Sequence, residues 1–328
     1  MDEKQLIETM YLTGHFWDPA ATNALNVQQA DLPKLTLSDK AVIEAAASFQ
    51  RADANLVPLV RMFHSRAPIF DGGVGPATMA LAQVPRCPIP DFAPPSSATF
   101  HYDDPQLQRA VERMQAATGS GSWPAGCYAD KGVHEVKISY DLSKLSDKHR
   151  EWWSEIKEKV RSTFAAVGVR LIEVPVGEKA NITLYGRSLG GSIIGMAEFN
   201  SETCGDVVFC QLTPSFAPSL LSVEKLVDHE VGHNMNLNHR NGGIMNPSIM
   251  PDSLPNYWIK REGGKIVYQD NSYPTLKGFF GGEEINAPPL PPPSPPTGKL
   301  TLTVEIDDEI PSARVLKIVR GVGNDWDT

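Results

Sequence analysis

His229, Glu230, His233 and His239 fall within eleven residues, in the run His-Glu-Val-Gly-His-Asn-Met-Asn-Leu-Asn-His, which holds three of the chain's eight histidines. On a helix, residues four apart share a face, so His229 and His233 can aim imidazole nitrogens at one point. Glu230 is rotated away from that pair and is left free to hold a water at the metal. Three protein ligands leave the fourth position of a tetrahedral ion open, which is the arrangement of a catalytic zinc rather than a structural one. A bare His-Glu-x-x-His also arises on ordinary surface helices. With the third histidine in place, a chance match to all four positions is on the order of 10⁻³ or less.

His239 cannot share a helix face with His233, because six residues turn a helix through about 600°. The helix must stop and the chain must swing back beneath the metal. That needs a residue at ease with positive φ, normally glycine and sometimes asparagine; position 236 is Asn. Downstream, Gly242-Gly243-Ile244-Met245-Asn246-Pro247 offers a tight turn that carries a methionine.

A second run lies far upstream, Pro85-Arg86-Cys87-Pro88-Ile89-Pro90-Asp91. A thiolate is a strong zinc ligand and can fill an open fourth position, displacing the water that hydrolysis needs. Proline at 88 biases Cys87 toward an extended backbone, which suits a segment lying in a groove.

Together these runs resemble the matrixins, the matrix metalloproteinase family of metzincin zinc proteases. That family pairs His-Glu-x-x-His-x-x-Gly-x-x-His and a methionine turn with a cysteine switch, Pro-Arg-Cys-Gly-x-Pro-Asp. Gly232, Leu237 and Ile244 to Pro247 suit the family, with Met245 as the turn methionine and Met250 as a second candidate. Asn236 and Pro88 stand where the family has glycines. The resemblance implies a latent zinc endopeptidase. Its metal ligands would be His229, His233 and His239, joined by Cys87 in the latent form, and Glu230 would be the general base. Arg86 and Asp91 would pair and hold the switch segment extended. A substrate peptide would add as a strand beside Ile193–Phe199, using Ile194, Gly195, Met196 and Ala197, with Pro247, Ser248 and Ile249 walling the next pocket. The implied partners are protein or peptide substrates and an activating protease, and the implied location is extracellular, although no signal peptide is visible. Family members also carry a structural zinc and calcium ions. Gly195 and Val208 stand where two of the structural-zinc histidines would be sought, so one catalytic zinc is expected and no tight calcium loops.

Composition bounds the rest. At 328 residues, the chain is long enough for two compact units with linkers. A net charge of −9 argues against nucleic acid and anionic membranes as partners. No stretch is long or apolar enough to span a bilayer. If Cys87 is a switch, Cys127, Cys204 and Cys210 remain, an odd number. Cys204 and Cys210 flank a predicted strand that would hold them roughly 20 Å apart, too far for a disulfide.

The predicted fold class is α+β, a metzincin-like domain with a twisted mixed sheet and long helices, preceded by a small all-α domain. Residues 1–95 are assigned to a helical propeptide that resembles peptidoglycan-binding modules, with helices at 38–51 and 76–84. Residues 96–132 form a connector with a helix at 104–117 and a small-residue tip at 119–122, where an activating cut is expected. The catalytic domain spans 133–285. It begins with a strand at 134–140 and a helix capped by Ser146 that carries Trp152, Trp153, Ile156, Val160, Phe164 and Val167 on its buried side and ends at Gly168. Strands follow at 169–174, 180–185, 193–199 and 206–211, then the metal helix at 223–235 and a closing helix at 273–281. Residues 286–298 form a linker, with seven prolines among residues 288–296. Residues 299–328 form a short β-rich tail. A competing expectation is a non-catalytic wall-binding or assembly protein with a vestigial protease fold. A third keeps the metal and restricts the substrate to one partner protein cleaved during maturation.

Overall fold

The computed structural model describes residues 1–63, 69–95, 97–98, 101, 105, 108–109, 112, 135–186, 193–197, 206–209, 220–235, 237–239, 241–248, 259–262 and 265–268. The chain divides into two compact units, Met1–Leu290 and Pro291–Thr328. The second unit, with most of the proline-rich linker and all of the tail, lies outside the described residues. So do the helix expected at 273–281, Cys127, Cys204, Cys210, Asn236, Ile249 and Met250.

The first unit contains two cores. The N-terminal one is helical: α1 (Glu3–Leu12), α2 (Lys40–Ala52), α3 (Leu56–Phe63) and α4 (Pro76–Leu81), with short 3-10 turns at His15–Trp17 and Gln29–Lys34. Helix α1 starts in a capping box, with Gln5 N–H donating to Asp2 Oδ1 at 2.9 Å and Asp2 N–H donating to Gln5 Oε1 at 2.8 Å. It buries Leu6, Ile7, Met10 and Tyr11 against Val42, Ala45, Ala46 and Phe49 of α2 and Leu56, Leu59 and Val60 of α3. Pro58 sits in the first turn of α3, where a missing N–H is tolerated. Cys87 and Ile89 belong to this core, and so does Met196 from the sheet.

The second core joins a five-stranded sheet to two helices. Strands β1 (Glu135–Asp141), β2 (Arg170–Glu173), β3 (Ile182–Gly186), β4 (Gly195–Ala197) and β5 (Asp206–Phe209) lie in the order β2-β1-β3-β5-β4. Pairings are parallel except at β4, an antiparallel edge strand in which Met196 faces Val208. The fold is therefore α+β, with a small, mostly parallel sheet.

Helix α5 (Asp147–Ala165) begins where Ser146 Oγ accepts from His149 N–H at 3.3 Å. It ends where Val169 N–H donates to Phe164 O at 3.0 Å and Gly168 N–H to Ala165 O at 3.1 Å. Trp153, Ile156, Val160 and Phe164 recur every three or four residues along its buried stripe. They pack with Val136 and Ile138 of β1 and with Val223, Leu226, Val227 and Val231 of α6 (Leu220–Asn234).

A two-stranded antiparallel ribbon, β6 (Ile259–Glu262) and β7 (Lys265–Tyr268), follows the site. The sequence reading missed it, although Glu262 pairs with Lys265 across only Gly263 and Gly264, the spacing of a tight hairpin. It missed α1 and α3 too. The helix expected at 104–117 is helical at residues 105, 108, 109 and 112, and its remainder lies outside the described residues.

Candidate metal centre

Helix α6 carries His229, Glu230 and His233 into the interior, where they are 2%, 0% and 0% exposed. His229 Nδ1 faces Ile244 O at 2.7 Å and His233 Nδ1 faces Leu237 O at 2.7 Å. A carbonyl can only accept, so each ring keeps its proton on Nδ1 and turns a lone pair out at Nε2. Helix α6 closes as Met235 N–H donates to Val231 O at 3.1 Å and Leu237 N–H reaches back to Gly232 O at 3.0 Å. The returning chain then presents His239.

The three Nε2 atoms stand 3.1, 3.2 and 3.2 Å apart. Tetrahedral zinc with nitrogens at about 2.0–2.1 Å would set them about 3.3 Å apart. Burial pushes the His229 imidazole pKa down to about 3, with His239 adding to the effect, and holds His233 well below its ordinary value. His229 and His233 are neutral rings whose lone pairs converge with His239 Nε2, a donor set that fits a cation. Cys87 Sγ completes it, 3.6 Å from His233 Nε2, and the four ligand atoms all lie within 4.8 Å of one another. Among the described residues this is the one cluster of its kind.

Glu230 lies beside the cluster, its Oε2 3.9 Å from Cys87 Sγ. Burial raises its pKa well above the usual carboxylate range. Burial, and then the Glu230 charge, likewise push the Cys87 thiol well up. Without a cation the sulfur is a neutral thiol; a divalent ion reverses that balance and favours thiolate.

Two glycines make the packing around α6 possible. A β-carbon on Gly232 would fall 2.7 Å from Met245 Sδ, so the small residue in His-Glu-Val-Gly-His lets the fully buried Met245 pack against α6. A β-carbon on Gly195, at the start of β4, would meet Glu230 Oε1 and Leu226 Cδ1.

The Pro85–Asp91 segment occupies the space between the edge strand and the 247–248 segment. Arg86 bridges to Ile193 in parallel sense and to Ser248 in antiparallel sense. Ile194 N–H donates to Arg86 O at 3.4 Å, and Cys87 N–H donates to Pro247 O at 2.9 Å. Of the residues expected to line a groove, Ile194 and Pro247 thus hydrogen-bond this segment of the same chain, and Met196 shares a core with Cys87 and Ile89.

Asp91 fixes the far end of the strap. Arg86 Nη2 lies 3.1 Å from both of its oxygens, His15 Nε2 lies 3.0 Å from Oδ2, and His239 Nδ1 lies 2.7 Å from Oδ1. Burial would raise the Asp91 pKa, but Arg86, His15 and the hydrogen bond from His239 outweigh it and hold the carboxyl well below its usual range.

The turn between α2 and α3 forms a second attachment that no sequence motif announced. Ala54 N–H donates to Asn246 Oδ1 at 2.9 Å, and Asn246 Nδ2 donates to Asp53 Oδ1 at 3.0 Å. Asn55 Nδ2 donates to Ser248 O at 3.1 Å and to Ser248 Oγ at 2.7 Å, and Asn241 Nδ2 donates to Arg51 O. His15 lies 76 residues from Asp91, and the Asp53–Asn55 clasp lies 192 or 193 residues from Asn246 and Ser248, so no local spacing could have revealed them.

No family model matches the chain. Among curated proteins, it is similar to human matrix metalloproteinase-21, with 28% identity over 248 residues, which is 67% of this chain and 41% of that protein. The chain spans about two fifths of the length of that relative. The likeness is a distant and partial one to a matrixin. No helix among the described residues is long and apolar enough to cross a membrane.

Proposed function

We propose that the chain is a matrixin-like zinc endopeptidase held latent by its own Pro85–Asp91 strap. The observation that carries this reading is the convergence of His229, His233 and His239 Nε2 with Cys87 Sγ inside 4.8 Å. In this reading residues 1–95 act as propeptide, 96–132 receive the activating cut and 133–285 form the protease. The protein works outside the cell on protein or peptide substrates.

His229, His233 and His239 would hold the ion, with Cys87 as the fourth ligand in the latent chain. When bound, zinc supplies Lewis acidity that makes water nucleophilic near neutrality. Once the strap leaves, a substrate backbone takes its place along Ile193–Ala197 and adds to the exposed edge of β4 by main-chain hydrogen bonds. Glu230, freed from the neighbouring sulfur, accepts the proton of the attacking water and later delivers it to the departing amine. Gly195 leaves room for the Glu230 carboxylate, and Met245 supports the ligand helix from beneath.

The test is to incubate the full chain, loaded with zinc, with casein before and after treatment with an organomercurial. Silence followed by cleavage is expected. A wall-binding protein with a vestigial protease fold would retain or lack zinc but cleave nothing under either condition, and that result overturns the proposal.

A further inference from the structure

Pairing with Arg86 does not account for the shortest contact of Asp91, which is the one to His239. Its Oδ1 lies 2.7 Å from His239 Nδ1, against 3.1 Å from Arg86 Nη2. We infer that Asp91 is a positioning residue for the third metal ligand, so that the N-terminal segment contributes to the metal centre twice, once through sulfur and once through a carboxylate that orients His239. This inference rests on the zinc reading above.

The three histidines are not held alike. His229 and His233 give their Nδ1 protons to Ile244 O and Leu237 O, carbonyls that belong to the same part of the chain as the rings themselves. His239 instead depends on a residue 148 positions earlier. A carboxylate behind a ligating imidazole fixes the tautomer and ring plane and raises the basicity of the ligating nitrogen. Such outer partners are typically worth about 10- to 100-fold in metal affinity.

Asp91 is itself built in rather than placed by chance. Its N–H donates to Thr13 O at 2.8 Å, its side chain is 3% exposed, and its second oxygen faces buried His15. The His15 ring is in turn held 3.1 Å from Ser48 Oγ and edge-on between Phe49 and Phe92. A line of contacts therefore runs from the helical core through Ser48, His15 and Asp91 to His239.

The consequence concerns the step between latent and active states. When the strap departs, the ion loses its sulfur ligand and the carboxylate partner of its third histidine together. The latent centre therefore holds zinc more tightly than the sulfur alone would require.

The experiment compares full-length wild type, Asp91→Asn, Arg86→Lys and Cys87→Ser, each loaded with zinc and titrated with a chelator. The His239 Nδ1 proton is followed by long-range ¹H–¹⁵N correlation. Asp91→Asn is expected to lose zinc about 10- to 100-fold more readily and to move the His239 Nδ1 proton upfield. Arg86→Lys, which keeps the positive charge beside Asp91, is expected to stay near wild type in both readouts. Wild-type zinc affinity in Asp91→Asn, or an equal loss in Arg86→Lys, overturns the inference, the latter because the effect would then come from the folding of the strap. A Cys87→Ser chain with unchanged affinity instead removes the thiol from the metal reading. A wild-type chain that takes up no zinc overturns the metal reading and this inference with it.

Discussion

Gly195 lies so close over Glu230 that a β-carbon at position 195 would fall 2.3 Å from Glu230 Oε1. The edge strand β4 and the proposed general base therefore share one space, which only a residue without a side chain leaves open. Gly195→Ala must push the carboxylate or the edge strand aside. Overpacking of this kind costs about 1–3 kcal/mol of stability, and a displacement near 1 Å at a reacting group can cost about 100-fold in rate. The expected outcome is a folded, zinc-retaining chain whose thiol-released activity on casein falls by about that factor. Wild-type turnover in this variant would contradict the placement of Glu230.

Glu230 is buried beside the histidine cluster, yet it is not one of the four residues whose donor atoms converge. Glu230→Ala should therefore keep zinc at wild-type stoichiometry while peptide hydrolysis falls by about 100- to 10,000-fold, the usual worth of a general base. Loss of zinc together with activity would make Glu230 a ligand or a structural support instead.

The sequence alone suggests that Cys87→Ser makes the full-length chain spontaneously active. The structure adds attachments that do not pass through sulfur, namely Cys87 N–H to Pro247 O and the Asp53–Asn55 clasp on Asn246 and Ser248. Cys87→Ser is expected to be only partly active, and Cys87→Ser combined with Asn55→Ala more active by about tenfold, since a lost buried hydrogen bond costs about 1–3 kcal/mol. Equal activity of the single and double variants would remove the clasp from latency.

Much of this arrangement was legible in local spacing. His229 and His233 stand four apart, and α5 repeats its buried residues every three or four positions, so both declare a helix and its inward face without help from the rest of the chain. The pairing of Asp91 with Arg86 was implied by the resemblance to the matrixin switch, not by spacing, and its contacts to His15 and His239 were not foreseen. Those contacts depend on how the helical core packs on the sheet, and no periodicity encodes that. Helix α3 was hidden by Pro58, which reads as a breaker unless its place in the first turn is known. The β6–β7 ribbon carries an ordinary hairpin signal, with two glycines between its paired strands.

Asp91 also predicts an acid limit for the metal-free chain. Its folded pKa is held well below the ordinary 3.8, so below that value the unfolded chain takes up a proton that the folded chain refuses. The stability it contributes is complete above about pH 4 and is lost as pH falls toward the depressed folded value, with a slope of about 1.4 kcal/mol per pH unit. His229, whose pKa is shifted down to about 3, adds a slope of the same sign from its ordinary 6.5 downward. Glu230, shifted upward, opposes this above its ordinary 4.5 and is protonated in both states well below it. Chelated Asp91→Asn should therefore show a shallower loss of stability below about pH 4 than chelated wild type in denaturant titrations. Identical slopes would mean that Asp91 is not charged in the folded protein.

X-ray absorption at the zinc edge on the purified full-length chain tests the central claim most directly. The account predicts one ion with three nitrogen neighbours near about 2.0–2.1 Å and one sulfur near about 2.3 Å, the sulfur shell being replaced by oxygen after mercurial treatment. A zinc shell without sulfur in the untreated chain, or a chain that binds no zinc, would contradict it.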